Sequence, residues 1–362
     1  MLPFIHWLYD NTFLVDQEIK ELEYIPKCIT WNVNEKISSY ENIYIQILCE
    51  EDCLTDYFKP SNLNLFNVNL NIFKKTGILF NRRSFFRSIN ESLIIDYYKE
   101  FNDYAASNLS SFDLSKNYNN IIDIFKVISD IEKYPLKLRG SLLKYNPYLN
   151  FSPFTKTGRL RTIKDFFPIY NLEKKLRVDI IPSNDYIMEV DYNAAEFRIF
   201  LALCGQEQPK DDAYLEIQSM FHLDSRNEAK NKVFEIIYSN YYKNDKISSI
   251  INKYVDGNKL TTPYGFEIYL DDPNKLINYL CQSTCSFLIY EKTQECIDLL
   301  KSFNSKSRVM FCFHDAIVFD LHKDDIGKIS KLKEIISNTR FGSFKNRVKV
   351  GTNYCGLQEI NL

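Results

Sequence analysis

The chain has 362 residues and a formal net charge of −2, with 45% hydrophobic and 25% charged residues. This length allows two or three domains around a sizeable core, and the composition is that of an ordinary globular protein. The balanced charge neither indicates nor excludes a polyanionic partner, because a local basic groove is sufficient to bind one.

Cysteine use and apolar runs limit the class of protein further. The nine cysteines contain no Cys-x-x-Cys pair, and no histidine stands at metal-ligand spacing beside Cys49/Cys53 or Cys281/Cys285. We therefore expect reduced thiols in a cytoplasmic protein. The first residues lack the basic segment of a signal peptide, and no apolar run reaches the roughly 18 residues that span a membrane.

In chain order, residues 1–60 are mixed, with strand-like runs such as 43–48, and residues 61–150 are more helical and locally basic. Within the latter, 119–145 has helical periodicity. A polar, basic segment with a turn, TKTGRLR, follows at 155–161. A strand, two helices and two further strands with a tight turn come next, and this order predicts an α+β fold rather than a βαβ repeat.

The segment 186–205 predicts a strand, a break and a helix. Asp191 follows the apolar run YIMEV, and Gly205 closes the helix. One interpretation is structural, with Asn193 capping the helix and Glu196 completing a capping box. The other is functional, since an acid fixed and exposed at a strand end is well placed to hold a metal ion.

A second helix near 225–240 carries Arg226, Lys230, Phe234 and Tyr238 at intervals of four residues. Each step advances about 40° around a helix and about 6 Å along it, so the four side chains form one stripe. Cations precede aromatics, an order suited to holding a nucleotide lengthwise, with its phosphates towards the helix N-terminus. The structural alternative is an amphipathic helix with two solvated cations and two core aromatics.

In the segment 308–321, His314 and Asp315 stand between two apolar runs. The runs predict the two strands of a hairpin with His-Asp at its turn. Structural hairpin turns favour Asn-Gly or Asp-Gly, because positive φ is needed there. A local rule broken in an otherwise consistent strand pair indicates a functional site, although an ordinary turn acid remains the alternative.

Taken in this order, the three segments resemble motifs A, B and C of family A (DNA polymerase I-like) DNA polymerases. DYNAAEFR matches motif A in its Asp, Tyr, Glu and Arg, and R-x3-K-x3-F-x3-Y matches motif B at all four positions. TKTGRLR resembles the family's T-x-T-G-R-L segment, and TTPYGFEIYL resembles the hairpin after motif B. Asn278 and Gln282 resemble residues that face the primer-template minor groove. The resemblance covers about residues 150–320.

The sequence departs from the family pattern at four positions: Ala194, Ser239, Asn274 and Ala316. Ala316 stands where an acid commonly follows the motif C Asp, so an auxiliary carboxylate is missing and metal affinity is expected to drop. Both metal-binding Asp residues remain, and activity is still expected. The short spacings between the motifs imply trimmed fingers.

The resemblance implies template-directed addition of dNTPs to a primer 3′-OH with two Mg²⁺ ions, or Mn²⁺ in their place, held by Asp191 and Asp315. Lys230 is also expected to protonate the leaving pyrophosphate. The implied nucleotide-binding residues are Tyr192, Glu196, Arg226, Lys230, Phe234 and Tyr238, with Glu196 as the steric gate against a 2′-OH. The implied DNA-binding residues are Arg159, Asn278, Gln282 and His314.

The implied fold is a right-hand polymerase with an antiparallel-sheet palm, helical fingers and a helical thumb. The expected regions are a thumb-like region at 76–150, palm at 151–210, reduced fingers at 211–285 and palm again at 286–362. Residues 1–75 have no assigned role. They are too few for an exonuclease domain, and no Asp-x-Glu begins a strand there.

Primer-template DNA and dNTPs are the expected partners, with a separate nuclease, helicase or clamp protein as further candidates and no membrane. A compact form of this kind suits a bacteriophage, which would place it in the bacterial cytoplasm. Two rival functions stay open. One is a single-subunit RNA polymerase or primase, against which Glu196 and Phe234 argue. The other is a catalytically impaired DNA-binding replisome subunit, which only Ala316 favours.

Overall fold

A computed structural model of the chain describes residues 5–9, 12–15, 18–19, 27–33, 43–49, 113–238 and 251–361. The chain divides into two compact units, Met1–Tyr118 and Asn119–Leu362. The locally basic part of residues 61–150 includes Lys74, Lys75, Arg82, Arg83 and Arg87. These residues, residues 76–112 of the thumb-like region 76–150, and Ser239 lie outside the described residues.

The first unit contains a five-stranded sheet with the strand order β3-β4-β1-β2-β5. Its strands are β1 (Ile5–Tyr9), β2 (Thr12–Leu14), β3 (Lys27–Val33), β4 (Ile43–Cys49) and β5 (Asp113–Leu114). The strand expected at 43–48 is confirmed by β4, which pairs with β3 antiparallel and with β1 parallel.

Helix α1 (Lys116–Glu132) follows β5 in the chain. Its apolar residues recur at helical spacing, and Ile121, Ile128 and Ile131 are buried. The periodicity over 119–145 predicted a longer helix. The helix ends at Glu132, because Pro135 disfavours helical backbone at the residue before it and cannot donate a helical hydrogen bond.

A five-stranded antiparallel sheet forms the centre of the second unit, with the order β14-β15-β10-β18-β19. Its strands are β10 (Tyr186–Tyr192), β14 (Arg308–Phe313), β15 (Ala316–Leu321), β18 (Asn346–Gly351) and β19 (Gln358–Ile360). Side chains of β10 alternate between the two faces of the sheet, as a strand requires. Met188, Val190 and Tyr192 are buried on one face, while Glu189 and Asp191 are partly exposed on the other.

Helices and short strands complete this unit. The helices are α2 (Ala195–Leu203), α3 (Ala213–Met220), α4 (Arg226–Tyr238), α5 (Leu276–Ser302) and α6 (Ile329–Ser337). A three-stranded sheet is formed by β11 (Val255–Asp256), β12 (Lys259–Thr261) and β13 (Glu267–Tyr269). The remaining strands pair in twos: β6 (Lys137–Leu138) with β9 (Ile180–Ile181), β7 (Phe151–Ser152) with β8 (Arg161–Thr162), and β16 (Asn338–Thr339) with β17 (Gly342–Ser343).

The second unit thus combines helices with an antiparallel sheet, which confirms the α+β class. The strand before Asp191, the helix near 225–240 and the hairpin at 308–321 are all present. None of the helices in the described ranges combines the length and the apolar character that a bilayer crossing requires.

Candidate active site

Two aspartates meet at one end of the central sheet. Strands β10 and β15 pair antiparallel with Asp191 opposite Ala316, so Asp315 at the hairpin turn lies next to Asp191. The backbone N–H of Tyr192 donates to the carbonyl oxygen of Asp315 at 3.2 Å. The sheet therefore brings together two carboxylates that are 124 positions apart in the sequence.

The electrostatics of this pair favour a bound cation. Burial raises the pKa of Asp191 to about 6, with a further contribution from Glu189, against the opposing effect of Lys349 at 3.7 Å. Burial and the charge of Asp191 raise the pKa of Asp315 to about 7. Two close acids with raised pKa values repel each other when ionised, and a divalent cation relieves that repulsion.

Carboxylate oxygens are the ligands that Mg²⁺ prefers, and this ion keeps several ligands from water or substrate phosphates. Within the described ranges, no group of three or more His, Cys, Asp or Glu is arranged to hold a metal. The donor set of Asp191 and Asp315 thus fits a hard divalent ion only if substrate or water supplies the remaining ligands.

The turn between β14 and β15 holds His314 in the left-handed region, at φ +59°. Its ring stacks on Tyr170, with 5.6 Å between the ring centroids, and its Nδ1 faces the guanidinium of Arg159 in a short hydrogen bond. Burial and the charges of Arg159 and Arg177 lower the pKa of His314 to about 4. The imidazole is therefore neutral at physiological pH and accepts from Arg159.

Side chains of α5 hold the segment that contains Arg159 in place. The hydroxyl of Tyr290 accepts from the Leu160 N–H at 3.0 Å and donates to the Gly158 carbonyl at 3.1 Å. Thr157 Oγ1 donates to Gln282 Oε1 at 3.0 Å. These bonds hold Arg159 against both the His314 turn and Gln282, so three of the four expected DNA-binding residues lie together.

Beside the aspartates lies an open cavity of about 360 Å³. Its polar lining consists of Arg159, Glu196, Tyr214, Lys230, Gln282, Ser286, His314 and Asp315. Both signs of charge and a phenol hydroxyl thus converge on one cleft, which is typical of a site for a polar, charged ligand. Asn278 lies one turn before Gln282 on α5, partly exposed.

Helix α2, which carries Glu196, does not begin with the predicted capping box of Asn193 and Glu196. Its N-cap is Ala194, in the left-handed region at φ +56°, and no side chain caps it. Asn193 Oδ1 instead accepts from the Ala213 N–H at 2.8 Å, which ties the break before α2 to the start of α3. The sharp break directs Glu196 into the cavity, and the capping-box interpretation was wrong.

On α4, the structure places two members of the predicted stripe. Lys230 lines the cavity. The Arg226 Nε donates to Asp212 Oδ2 at 2.9 Å, and its guanidinium lies 4.7 Å from the centre of the Tyr214 ring. The side chains of Phe234 and Tyr238 lie outside the described part of the chain.

Tyr192 is not with the other expected nucleotide-binding residues. Its side chain alternates to the opposite face of the sheet from Asp191 and is 2% exposed. Its hydroxyl donates to the Ile336 carbonyl, and its ring packs edge-on against Phe344. The period of two along a strand puts adjacent residues on opposite faces, so the prediction for Tyr192 needs this correction.

Four residues near the site were not singled out from the sequence: Asp212, Tyr214, Arg347 and Lys349. Lys349 Nζ donates to Glu189 at 2.8 Å and lies 3.7 Å from Asp191. The alternation of Arg347 and Lys349 in RVKV was a signal that both side chains share one face of a strand. Nothing in the sequence indicated that this strand pairs with β10.

A larger cavity of about 840 Å³ lies elsewhere in this unit, next to the start of β14. Its cations are matched by acids, since Arg308 pairs with buried Asp320 at 3.1 Å and Lys301 pairs with Asp130 at 2.7 Å. The acids of this cavity, Asp130 and Asp320, are thus each paired with a cation, unlike the adjacent carboxylates of Asp191 and Asp315.

No protein-family model and no curated protein matches the chain. Among solved structures, the chain is similar to the POL domain of Pol1 from M. smegmatis in complex with DNA primer-template and dNTP. The sequence identity is 15% and the TM-score 0.49. The similarity covers 75% of this chain and 55% of that chain, so this chain spans about half the length of the solved one.

Proposed function

We propose that this chain is a template-directed DNA polymerase of the family A type, which adds dNTPs to a primer 3′-OH. The observation that carries the proposal is the meeting of Asp191 and Asp315 on adjacent antiparallel strands, beside a cleft lined by Lys230 and Glu196. The order and spacing of the motifs around these four residues add to it.

Asp191 and Asp315 are the proposed metal ligands. Bound Mg²⁺, or Mn²⁺ in its place, would supply activation of the 3′-OH and neutralisation of charge on the phosphates. The two carboxylates themselves fix where the primer end and the triphosphate meet, because their strands are held rigidly in the sheet. Their raised pKa values favour this role, since ionisation of both is best compensated by a cation.

The nucleotide is proposed to lie along α4. Arg226 and Lys230 bind its β- and γ-phosphates, and Lys230 donates a proton to the leaving pyrophosphate. Phe234 packs on the nucleotide, and Tyr238 packs beside the templating base. Glu196 at the start of α2 excludes a 2′-OH, which makes dNTPs the preferred substrates.

The primer terminus is proposed to contact Arg159, His314, Gln282 and Asn278. The first three lie together at the cleft, and His314 is held neutral by its surroundings. A neutral imidazole and an amide suit contacts with the minor groove that do not depend on sequence, while the guanidinium also suits the backbone.

In this proposal the central sheet is the palm, the helices α3 and α4 belong to reduced fingers, and the region 76–150 is the thumb. The palm would span 151–210 and 286–362, with the fingers at 211–285. A bacteriophage or other mobile replicon in a bacterial cytoplasm is the proposed setting. A separate nuclease, helicase or clamp protein is proposed as a partner.

The test is extension of a labelled primer on a DNA template with Mg²⁺ and dNTPs. Extension by the wild type is expected, with its loss in both Asp191→Ala and Asp315→Ala and its retention in Asp256→Ala, which removes an exposed acid away from the cleft. A parallel reaction contains NTPs in place of dNTPs. Incorporation of dNTPs alone would exclude the RNA polymerase or primase alternative.

The second candidate function is a DNA-binding accessory subunit. It is favoured by Ala316, which is buried opposite Asp191 and leaves that position without a third carboxylate. Binding of primer-template DNA by the wild type without any extension, in Mg²⁺ and in Mn²⁺, would support the accessory role and overturn the polymerase proposal.

A further inference from the structure

Arg347 lies beside the catalytic acids on a strand that the family motifs do not include. Strands β10 and β18 pair antiparallel with Asp191 directly opposite Arg347. Directly opposed residues share one face of a sheet, with their Cβ atoms roughly 5 Å apart. The Arg347 side chain therefore emerges on the same face as the Asp191 carboxylate.

A shared acid links Arg347 to the helix that carries the phosphate-binding stripe. Asp212 Oδ2 accepts from Arg347 at 2.7 Å and from the Arg226 Nε at 2.9 Å. Because both donors lie within hydrogen-bond distance of one oxygen atom, the two guanidinium groups are adjacent. Arg347 thus stands between Asp191 on the sheet and Arg226 on α4.

Within this cluster, two guanidinium groups share the single carboxylate of Asp212. Arg347 also acts on Asp191 opposite it, and its positive charge lowers the pKa of that acid against the larger raising effect of burial. Asp212 is only 13% exposed, whereas Arg226 and Arg347 are 39% and 37% exposed. The covered acid orients the two arginines, whose side chains are each more than a third exposed to solvent.

Arginine pairs of this kind suit phosphate. A guanidinium has five donors in a planar fork, and Arg226 and Arg347 each use part of that set on Asp212. Lys349, two residues further along β18, is engaged by Glu189 and Asp191 and is less open for such a ligand. The cluster at Asp212 is therefore the part of β18 best placed to take a polyphosphate.

We propose that Arg347 is a further phosphate-binding residue, which contacts the terminal phosphates of the incoming nucleotide together with Arg226 and then holds the released pyrophosphate. This inference rests on the proposed polymerase function, because it takes the nucleotide to lie along α4. Asp212 acts as a positioning residue that aligns the two arginines and does not itself touch the nucleotide.

A purely structural role for Arg347 would be to tie α3 to the sheet through Asp212. The two roles differ in what they change. A structural tie affects the folded stability and the turnover of the enzyme, whereas a phosphate contact affects the KM for dNTP and the inhibition constant of pyrophosphate together.

The experiment measures steady-state primer extension by the wild type, Arg347→Ala and Arg347→Lys, with Lys345→Ala as the matched control. Lys345 lies two residues before Arg347 in the sequence and pairs with Asp211 instead, at 3.7 Å. We expect Arg347→Ala to raise both the KM for dNTP and the inhibition constant of pyrophosphate about tenfold, with kcat within about threefold. Both constants of Arg347→Lys are expected to lie between those of the wild type and of Arg347→Ala, and both constants of Lys345→Ala are expected to match the wild type.

Unchanged KM and pyrophosphate inhibition in Arg347→Ala would overturn the proposal, as would a fall in kcat and melting temperature without a change in either constant. A calorimetric titration of the metal-loaded protein with inorganic pyrophosphate separates this inference from the proposed function. Absence of wild-type extension counts against the polymerase, whereas equal pyrophosphate affinity of the wild type and Arg347→Ala counts against Arg347.

Discussion

Asp315 has the higher pKa of the two adjacent acids in the site. It lies at a hairpin turn beside Asp191, and burial together with that neighbouring charge raises its pKa to about 7. The acid follows His314, which is held at φ +59°, a backbone region that non-glycine residues rarely adopt. Strain and a raised pKa at adjacent residues are typical of a functional site rather than of a stabilising turn.

We predict that Asp315→Asn stabilises the metal-free protein at pH 8. The folded pKa of Asp315 is raised above its unfolded value, so the stability that this group contributes is present below about pH 4 and is lost as the pH rises through about 7. The amide removes that loss, and we expect a gain of about 1–2 kcal/mol in the free energy of unfolding. Chemical denaturation in a chelator measures it.

Added Mg²⁺ provides the second measurement for this substitution. It should raise the melting temperature of the wild type at pH 8 and have little effect on Asp315→Asn, because the amide is a poor ligand for the ion. A variant that is less stable than the wild type in chelator would contradict the electrostatic interpretation. Asp256→Asn controls for the loss of one negative charge at an exposed position.

Both the backbone conformation and the packing at position 158 require glycine. Its φ is +69°, and a Cβ built on it would lie 2.9 Å from the Phe287 ring. We predict that Gly158→Ala lowers the free energy of unfolding by about 2 kcal/mol and weakens primer binding, because Arg159 is the next residue. Gly205→Ala is the matched control, since Gly205 has φ +64° but no atom within 4 Å. An equal loss in both variants would mean that packing at Gly158 contributes nothing.

At the scale of elements, the break between β10 and α2 is held by Arg198. This side chain is fully buried, and it donates to three backbone carbonyls, those of Asn193, Pro209 and Asp211, at 2.6–2.7 Å. Buried charges are tolerated when their donors are satisfied in this way. Arg198 thus positions the turn that directs Glu196 into the cleft.

The elements themselves were predictable to the extent that local patterns determine them. The apolar run before Asp191 and the two apolar runs around His314 predicted β10, β14 and β15. The capping box at Asn193 was wrong, because the bond from the Ala213 N–H comes from a later helix. A side chain that could satisfy either a local or a distant donor cannot be assigned from its neighbours in the sequence alone.

Helix α1 is joined to the segment after it by a hydrogen bond of a partly buried acid, Glu132. Glu132 Oε1 accepts from the Phe151 N–H at 2.6 Å, and burial raises the pKa of Glu132 to about 7 despite that bond. The stability that Glu132 contributes is therefore present below about pH 4.5 and is lost as the pH rises through 7. We predict that the stability advantage of Glu132→Gln over the wild type grows by about 2 kcal/mol as the pH rises from 5 to 8.

Thermal denaturation across this pH range in a single buffer system measures the difference. Glu334→Gln, at an exposed position of α6, controls for the lost charge. A constant difference between Glu132→Gln and the wild type at every pH would show that the carboxyl does not titrate in this range, and the prediction would be wrong.

At the scale of the whole molecule, the site forms because strands that are far apart in the sequence pair in one sheet. No local pattern in the sequence indicates which strands pair. The resemblance to the family's motifs predicted that Arg159, Asp191, Lys230, Gln282 and Asp315 belong to one site. The structure places four of the five around one cleft, with Asp191 adjoining it on β10. The pairing of β18 with β10, which brings Arg347 beside Asp191, could not be predicted, because strand order in an antiparallel sheet is set by the global fold.

The last prediction concerns an activity that the chain is expected to lack. Residues 1–75 contain an Asp-x-Glu at 16–18, which comes after β2 in the chain, and its Glu18 is helical. Oε2 of Glu18 accepts from the Val15 N–H at 2.8 Å and from Ser115 Oγ at 2.7 Å, so this oxygen serves the local backbone and a hydroxyl. We predict that the purified protein does not shorten a labelled primer in Mg²⁺ without dNTPs.

The control for that experiment is Asp191→Ala, which should abolish extension and leave the primer intact. Shortening that persists in Asp191→Ala but disappears in Glu18→Gln would overturn the prediction and assign a nuclease to the first unit. Shortening that disappears in Asp191→Ala has a different origin, because pyrophosphate carried over with the protein or the DNA would attack the terminal phosphodiester bond at the same two carboxylates and release a dNTP. Adding inorganic pyrophosphatase removes that reverse reaction and leaves only a true nuclease to be detected.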